Sequence, residues 1–209
     1  SQSKSLEINL LPIKHFDSTS TERVFLIEYT IKNTSDDDIA FFLHEDRFFP
    51  THSSALNPII SYTTYQNNNA LEISSIFTTN RKYFNSQQKY DIYKKNIDSI
   101  IKKESEESLN DPNYFIKKSS AELIKVLKPN EVLHQKQFVY WNKNRYFKVQ
   151  DLEYYLSEND TYTIQLNFVA LKEEYKNRLT NNDFLKINEN KNFIKGWFTS
   201  NKVEINFKE

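Results

Sequence analysis

Apolar and polar residues alternate most regularly over Asp160–Leu171. There Tyr162, Ile164, Leu166, Phe168 and Ala170 fall on one side of an extended chain and Thr161, Thr163, Gln165 and Asn167 on the other. A two-residue period of this kind is what a half-buried β-strand requires. The same period runs through Leu6, Ile8 and Leu10, a first strand ended near Pro12, and through Val24–Lys32, where Phe25, Ile27, Tyr29 and Ile31 share a side. The opposite side of that second strand holds Val24 and Leu26 beside Glu28, Thr30 and Lys32, so something is expected to cover one end of it. Ile39–Leu43, Val132–Tyr140 and the alternation Val203, Ile205, Phe207 complete a run of short strands separated by polar turns, with Asp151–Tyr155 as another short element of unassigned type. The inward residues Tyr162, Ile164, Leu166 and Phe168 are expected to pack against Phe25, Ile27, Tyr29 and Ile31. Glu122–Leu127 is ambiguous between helix and strand.

Between about Pro50 and Lys118 the pattern changes. Ile59–Thr64 and Leu71–Thr78 read as a hairpin across Asn67–Asn69. Tyr90, Tyr93, Ile97, Ile100 and Ile101 then recur at helical spacing, which predicts one long amphipathic helix. Ser86 is its N-cap candidate, and Asn110-Asp111-Pro112 ends it because proline cannot continue a helix. The partly apolar face at Val24 and Leu26 is the surface expected to receive it. Further on, Leu171–Leu179 suggests a short helix and Thr180–Asn192 a polar loop. The fold class is therefore mostly β: an antiparallel β-sandwich over residues 1–209, with an inserted hairpin and one long amphipathic helix at about 50–118.

Composition narrows the function more than it specifies it. Twenty-eight basic residues cancel 28 acidic ones, so no net field draws in nucleic acid, and no nucleic-acid partner is expected. Aromatics make up 15% of the chain, which lets a moderately polar sequence bury a core. Without a cysteine there is no thiol chemistry and no thiolate metal site. The single glycine, Gly196, is too few for a phosphate-binding loop, a dinucleotide fingerprint or a nucleophile elbow. Turns that need positive φ must fall to asparagine, at Asn67–Asn69, Asn142–Asn144 and Asn181–Asn182. The chain lacks methionine and opens on the polar SQSKS. That suits a mature exported protein of the cell envelope, of the kind that begins after a lipidated cysteine, and a membrane is expected to be met only through such an N-terminal anchor.

The turn Asn33-Thr34-Ser35-Asp36-Asp37-Asp38, the turn Leu127-Lys128-Pro129-Asn130-Glu131 and the strand after Asp160 occur in an order similar to immunoglobulin-like modules of bacterial exported proteins and lipoproteins. Asn130 stands where that family commonly has glycine, and asparagine tolerates the same left-handed conformation. Tyr162 looks like a tyrosine corner. The bacterial intracellular proteinase inhibitor domain shares the general pattern. The resemblance covers roughly residues 5–50 and 120–207, implies a β-sandwich, and carries over no functional residue.

Candidate chemistry is sparse. His44, Glu45, Asp46 and His52 are metal-ligand types, but a solvated loop is the preferred reading and no metal or other cofactor is expected. The four histidines, His15, His44, His52 and His134, are scattered and give no sign of a catalytic triad, and Glu173-Glu174 sits in the short helix, so no enzyme is expected. Tyr140–Lys148 interleaves aromatic, basic and amide residues, the composition used to stack on sugars. Tyr140 and Phe147 read as core residues bracketing a polar hairpin, which leaves Trp141, Arg145 and Tyr146 as the candidate ligand-binding set. Trp197 reads as a core anchor. The expected function is a non-enzymatic binding or accessory module for a protein or glycan partner. The alternatives are a protease inhibitor acting through Thr180–Asn192 or Asn142–Asn144 and a carbohydrate-binding module using Trp141 and Tyr146.

Overall fold

A computed structural model of the chain describes residues 5–51, 58–73, 76–78, 86–110, 123–149, 152–176 and 179–209. The structure is mostly β, with two sheets facing each other across one core. In the first sheet β3 (Glu22–Asn33) is central. Strand β9 (Val132–Asn142) pairs antiparallel with it from end to end. Its other edge is shared by β1 (Leu6–Leu10) and β2 (Lys14–Thr19), which follow one another past Pro12 as a single broken edge strand. The Leu11 N–H donates to the Glu28 carbonyl across the break, so the proline, which has no N–H to give, interrupts the edge without detaching it.

The second sheet is ordered β13 (Gly196–Glu204), β12 (Tyr162–Ala170), β6 (Ile59–Gln66), β5 (His44–Pro50). Strands β12 and β13 are antiparallel, as are β12 and β6, whereas β5 runs parallel to β6. The short β7 (Asn69–Ala70) folds back on β6. All eight residues expected to meet do so: Phe25, Ile27, Tyr29 and Ile31 share one buried cluster with Tyr162, Ile164, Leu166 and Phe168. Strand β4 (Ile39–Phe42), paired with β8 (Ile124–Leu127), is buried on both faces. Ile39 and Phe41 enter the main core, and Ala40 and Phe42 enter a second cluster with Tyr175, Ile187 and Phe193.

Where the two sheets come together, β1 and β13 are joined by a side chain. Asn201 Oδ1 accepts from the Leu10 N–H at 2.8 Å while its Nδ2 donates to the Leu10 carbonyl at 2.9 Å, so one amide reproduces both hydrogen bonds of a strand partner. The two turns that carried the family resemblance also bind each other. The Asn33 N–H donates to the Glu131 carbonyl, the Asn130 N–H to the Asn33 carbonyl, and the Asn33 side chain to the carbonyls of Asp37 and Leu127. Asn130 takes φ 63° and Asn67 and Asn68 take 47° and 70°, the left-handed turn conformations that glycine would otherwise supply.

Several expectations change. Ile59–Gln66 is a central strand and no insertion, so the appended segment begins after it. The strand that turns back on β6 is Asn69–Ala70, and the described residues of Leu71–Thr78 form no strand. Ile73, Ile76 and Phe77 fill the core, and Thr78 bridges Tyr140. The long helix, α1 (Gln87–Ser108), forms with the Ser86 hydroxyl accepting from the Lys89 N–H at 3.3 Å, and among the described residues it makes no extensive packing contact with the strand that carries Val24 and Leu26. A 3-10 turn at Glu173–Tyr175 is the short helix. Thr180–Asn192, expected as a loop, contains the helix α2 (Asn181–Glu189). Thr180 caps it by accepting from the Asp183 N–H, and Ile187 anchors it in the second cluster. The last strand covers Gly196–Glu204, and Ile205 and Phe207 lie beyond its end as core residues.

Candidate functional site

The candidate set falls on the β9–β10 turn and the hairpin of β10 (Tyr146–Val149) with β11 (Leu152–Tyr155). Asparagines shape the turn: Asn142 Oδ1 accepts from the Asn144 N–H, and Asn144 Oδ1 accepts from the Tyr146 N–H. The three residues then separate. Trp141 closes β9 on its inward side and is 1% exposed, edge to face with Phe207 at 4.8 Å, so it offers no ring to a ligand. Its indole N–H has no hydrogen-bond partner among the described residues.

Arg145 is a structural clamp. Its guanidinium lies 5.9 Å from the Trp141 ring centre, donates to the carbonyls of Leu156 at 2.9 Å and Phe207 at 2.7 Å, and forms an ion pair with Glu158 at 2.9 Å. On the far side of the C-terminal segment Arg23 does the same work. Its Nη1 donates to the carbonyls of Asn206 and Lys208, and Nε and Nη2 grip the Asp17 carboxylate, which also takes the Lys143 ammonium at 2.7 Å. The hydrogen bonds from Arg23 and Lys143 hold the Asp17 carboxyl well below its usual range.

Of the three, Tyr146 alone faces solvent, at 47%, and its cross-strand partner is Tyr155, at 62%. Lys148 and Glu153 form an ion pair at 3.0 Å across the same hairpin. Partial desolvation first, and the Glu153 carboxylate next, raise the Tyr146 phenol above its ordinary pKa. Tyr146 and Tyr155 therefore present two adjacent aromatic side chains beside an acid and a base. Tyr155 escaped the sequence reading because the pairing register, which sets it opposite Tyr146, is not written in either segment.

Elsewhere the expected chemistry disperses. Glu45 lies on β5 and is used by Lys125, at 2.9 Å, and by Gln135; His52 lies outside the described residues, and no cluster of three metal-ligand side chains occurs among the described ones. Burial raises the Tyr162 phenol, and the nearby Asp160 adds to this. The Ser157 amide pulls the other way without reaching full hydrogen-bond geometry. On the outer face of the second sheet Asn167 Nδ2 donates to the hydroxyls of Thr51 at 2.9 Å and Thr63 at 3.1 Å, and the Ser61 hydroxyl donates to the Asn167 carbonyl. This uncharged network holds strands together.

Trp197 is 58% exposed instead of anchoring the core. It pairs with Val169 on the outer face, and its neighbour Phe198 takes the inner position opposite Phe168. The long loop required of a protease inhibitor at Thr180–Asn192 is occupied by α2. What remains conspicuous is α1, whose Tyr90, Ile92, Ile100 and Ile101 are 44%, 53%, 48% and 55% exposed. No described helix is long and apolar enough to cross a membrane. No protein-family model, curated protein or solved structure matches the chain.

Proposed function

We propose that this protein is a non-enzymatic binding or accessory module of the cell envelope, an immunoglobulin-like sandwich that presents α1 to a protein partner. Export and a lipid anchor belong to this reading through the likeness of its turns to bacterial exported modules, a likeness supported by the clasp between Asn33 and Asn130–Glu131. The observation that carries the reading is the exposed apolar stripe of α1. A 22-residue helix that leaves three isoleucines about half exposed is more than a connector needs. Photo-crosslinking residues placed at Tyr90 or Ile100 in the full-length protein, in the cells that produce it, should yield adducts, while the same residue at Lys95 or Lys102 on the opposite side should not. Equal yields from both sides would refute the reading.

A second reading, glycan binding, is favoured by the Tyr146–Tyr155 pair on the hairpin face. Adjacent tyrosines supply apolar faces for a sugar ring, and Lys148 and Glu153 supply polar contacts beside them. Tyr146→Ala and Tyr155→Ala should each abolish glycan-array signal while leaving the unfolding midpoint unchanged. A wild-type protein silent on such an array removes this reading.

A further inference from the structure

We infer that the second sheet carries a ligand site for a small uncharged molecule with an apolar body and one hydroxyl, the chemistry of a phenol or a cyclic alcohol. It draws on neither α1 nor the Tyr146–Tyr155 pair. The site is a notch along the edge of β6. There β5 pairs as far as Pro50, opposite Tyr62, and β7 takes over with Ala70, opposite Tyr65. Proline has no N–H with which to carry the ladder on, and among the described residues no strand pairs with Thr63 and Thr64 on that side. The Leu71 N–H bounds the notch by donating to the Thr64 carbonyl at 2.8 Å. Between these limits lies a cavity of about 190 Å³.

The lining defines the ligand. Pro50, Tyr62, Leu71, Ile73 and Ile76 make the walls, and of these Tyr62, Ile73 and Ile76 are buried. An apolar cavity on the order of 150 Å³ takes up benzene, so this one has room for a ring with one or two substituents. One polar group interrupts the apolar surface. Thr64 borders the cavity, shares the core face of β6 with Tyr62 and is 5% exposed, yet its hydroxyl makes no hydrogen bond among the described residues. An unpaired hydroxyl on a core face is costly, and a ligand hydroxyl that meets it removes that cost. The neighbouring Thr51 and Thr63 hydroxyls are already engaged with each other and with Asn167. Glu72, the one carboxylate along the lining, is exposed. A charged ligand would therefore be desolvated against apolar walls without a partner inside, which selects a neutral one.

Titration with p-cresol, followed through backbone amide chemical shifts, should move Thr64, Leu71 and Ile73 and saturate with a Kd of about 1 mM or tighter. Toluene, which keeps the ring and methyl group without the hydroxyl, should bind at least about fivefold more weakly, and 4-methylbenzoate should not bind. Thr64→Val keeps the shape of the side chain and removes its hydroxyl, so it should erase the difference between p-cresol and toluene. Ala70→Trp, at an exposed position on the lining, should block both ligands while leaving the unfolding midpoint unchanged. No movement of the lining amides at about 10 mM p-cresol, or movement that persists in Ala70→Trp, overturns the site. Equal affinity of the wild type for p-cresol and toluene, a preference for p-cresol that survives Thr64→Val, or binding of the carboxylate overturns the ligand class.

Discussion

Asp17 stands on an exposed edge strand, yet its carboxylate carries both Arg23 and Lys143. Its folded pKa lies below the ordinary 3.8, so its contribution to stability is fully present above that value and is lost as pH falls through the folded pKa. Wild-type protein should therefore lose more of its urea midpoint between about pH 5 and pH 2 than Asp17→Asn does, and the difference should shrink in high salt because the group is partly exposed. Equal acid losses would count against it. At Trp141 and Phe207 the cost is packing: truncating either to alanine in this aromatic cluster should cost about 3–5 kcal/mol in denaturant unfolding. Conserving the Arg145 charge as Lys should destabilise as well, since an ammonium cannot span the Leu156 and Phe207 carbonyls together.

At the scale of elements, helix α2 depends on its cap. Thr180→Ala removes the acceptor for the Asp183 N–H and should lower stability by about 1 kcal/mol, with Thr180→Ser close to wild type. The signal was present in the sequence, because Thr180-Asn181-Asn182-Asp183 has the threonine and acidic residue of a capping motif, but its polar composition reads as a loop. The strands with a regular two-residue period were legible, down to the facing residues of β3 and β12. Strand β2 was not, because every residue in it is exposed and an edge strand buries no alternating face. Strand β5 was not, because it pairs in parallel and its HEDRFFP sequence does not alternate. The candidate site was the least legible part. Whether Trp141 points inward or outward is settled by its register against Arg23 and by Phe207, which reaches it from more than 60 residues away.

For the molecule as a whole, α1 is expected to be dispensable to the sandwich. Among the described residues it makes no extensive packing contact with a strand, so replacing Ile100 and Ile101 with Lys should leave the stability of the sandwich within about 0.5 kcal/mol of wild type while changing its partners. A large loss of stability would mean that the helix supports the core. The grip of Arg23 and Arg145 on the carbonyls of Asn206, Phe207 and Lys208 also imposes an order in time. Arg23 meets its carbonyl partners across 183 and 185 residues, and Phe207 contacts Phe25 and Tyr162. Neither the central strand of the first sheet nor the aromatic core can be completed until residues 205–208 are in place. Closure across so long a loop belongs to the slow, milliseconds-to-seconds range of β topologies. A nascent chain halted before Ile205 would hold an open core, and the closing step of folding waits on residues 205–208.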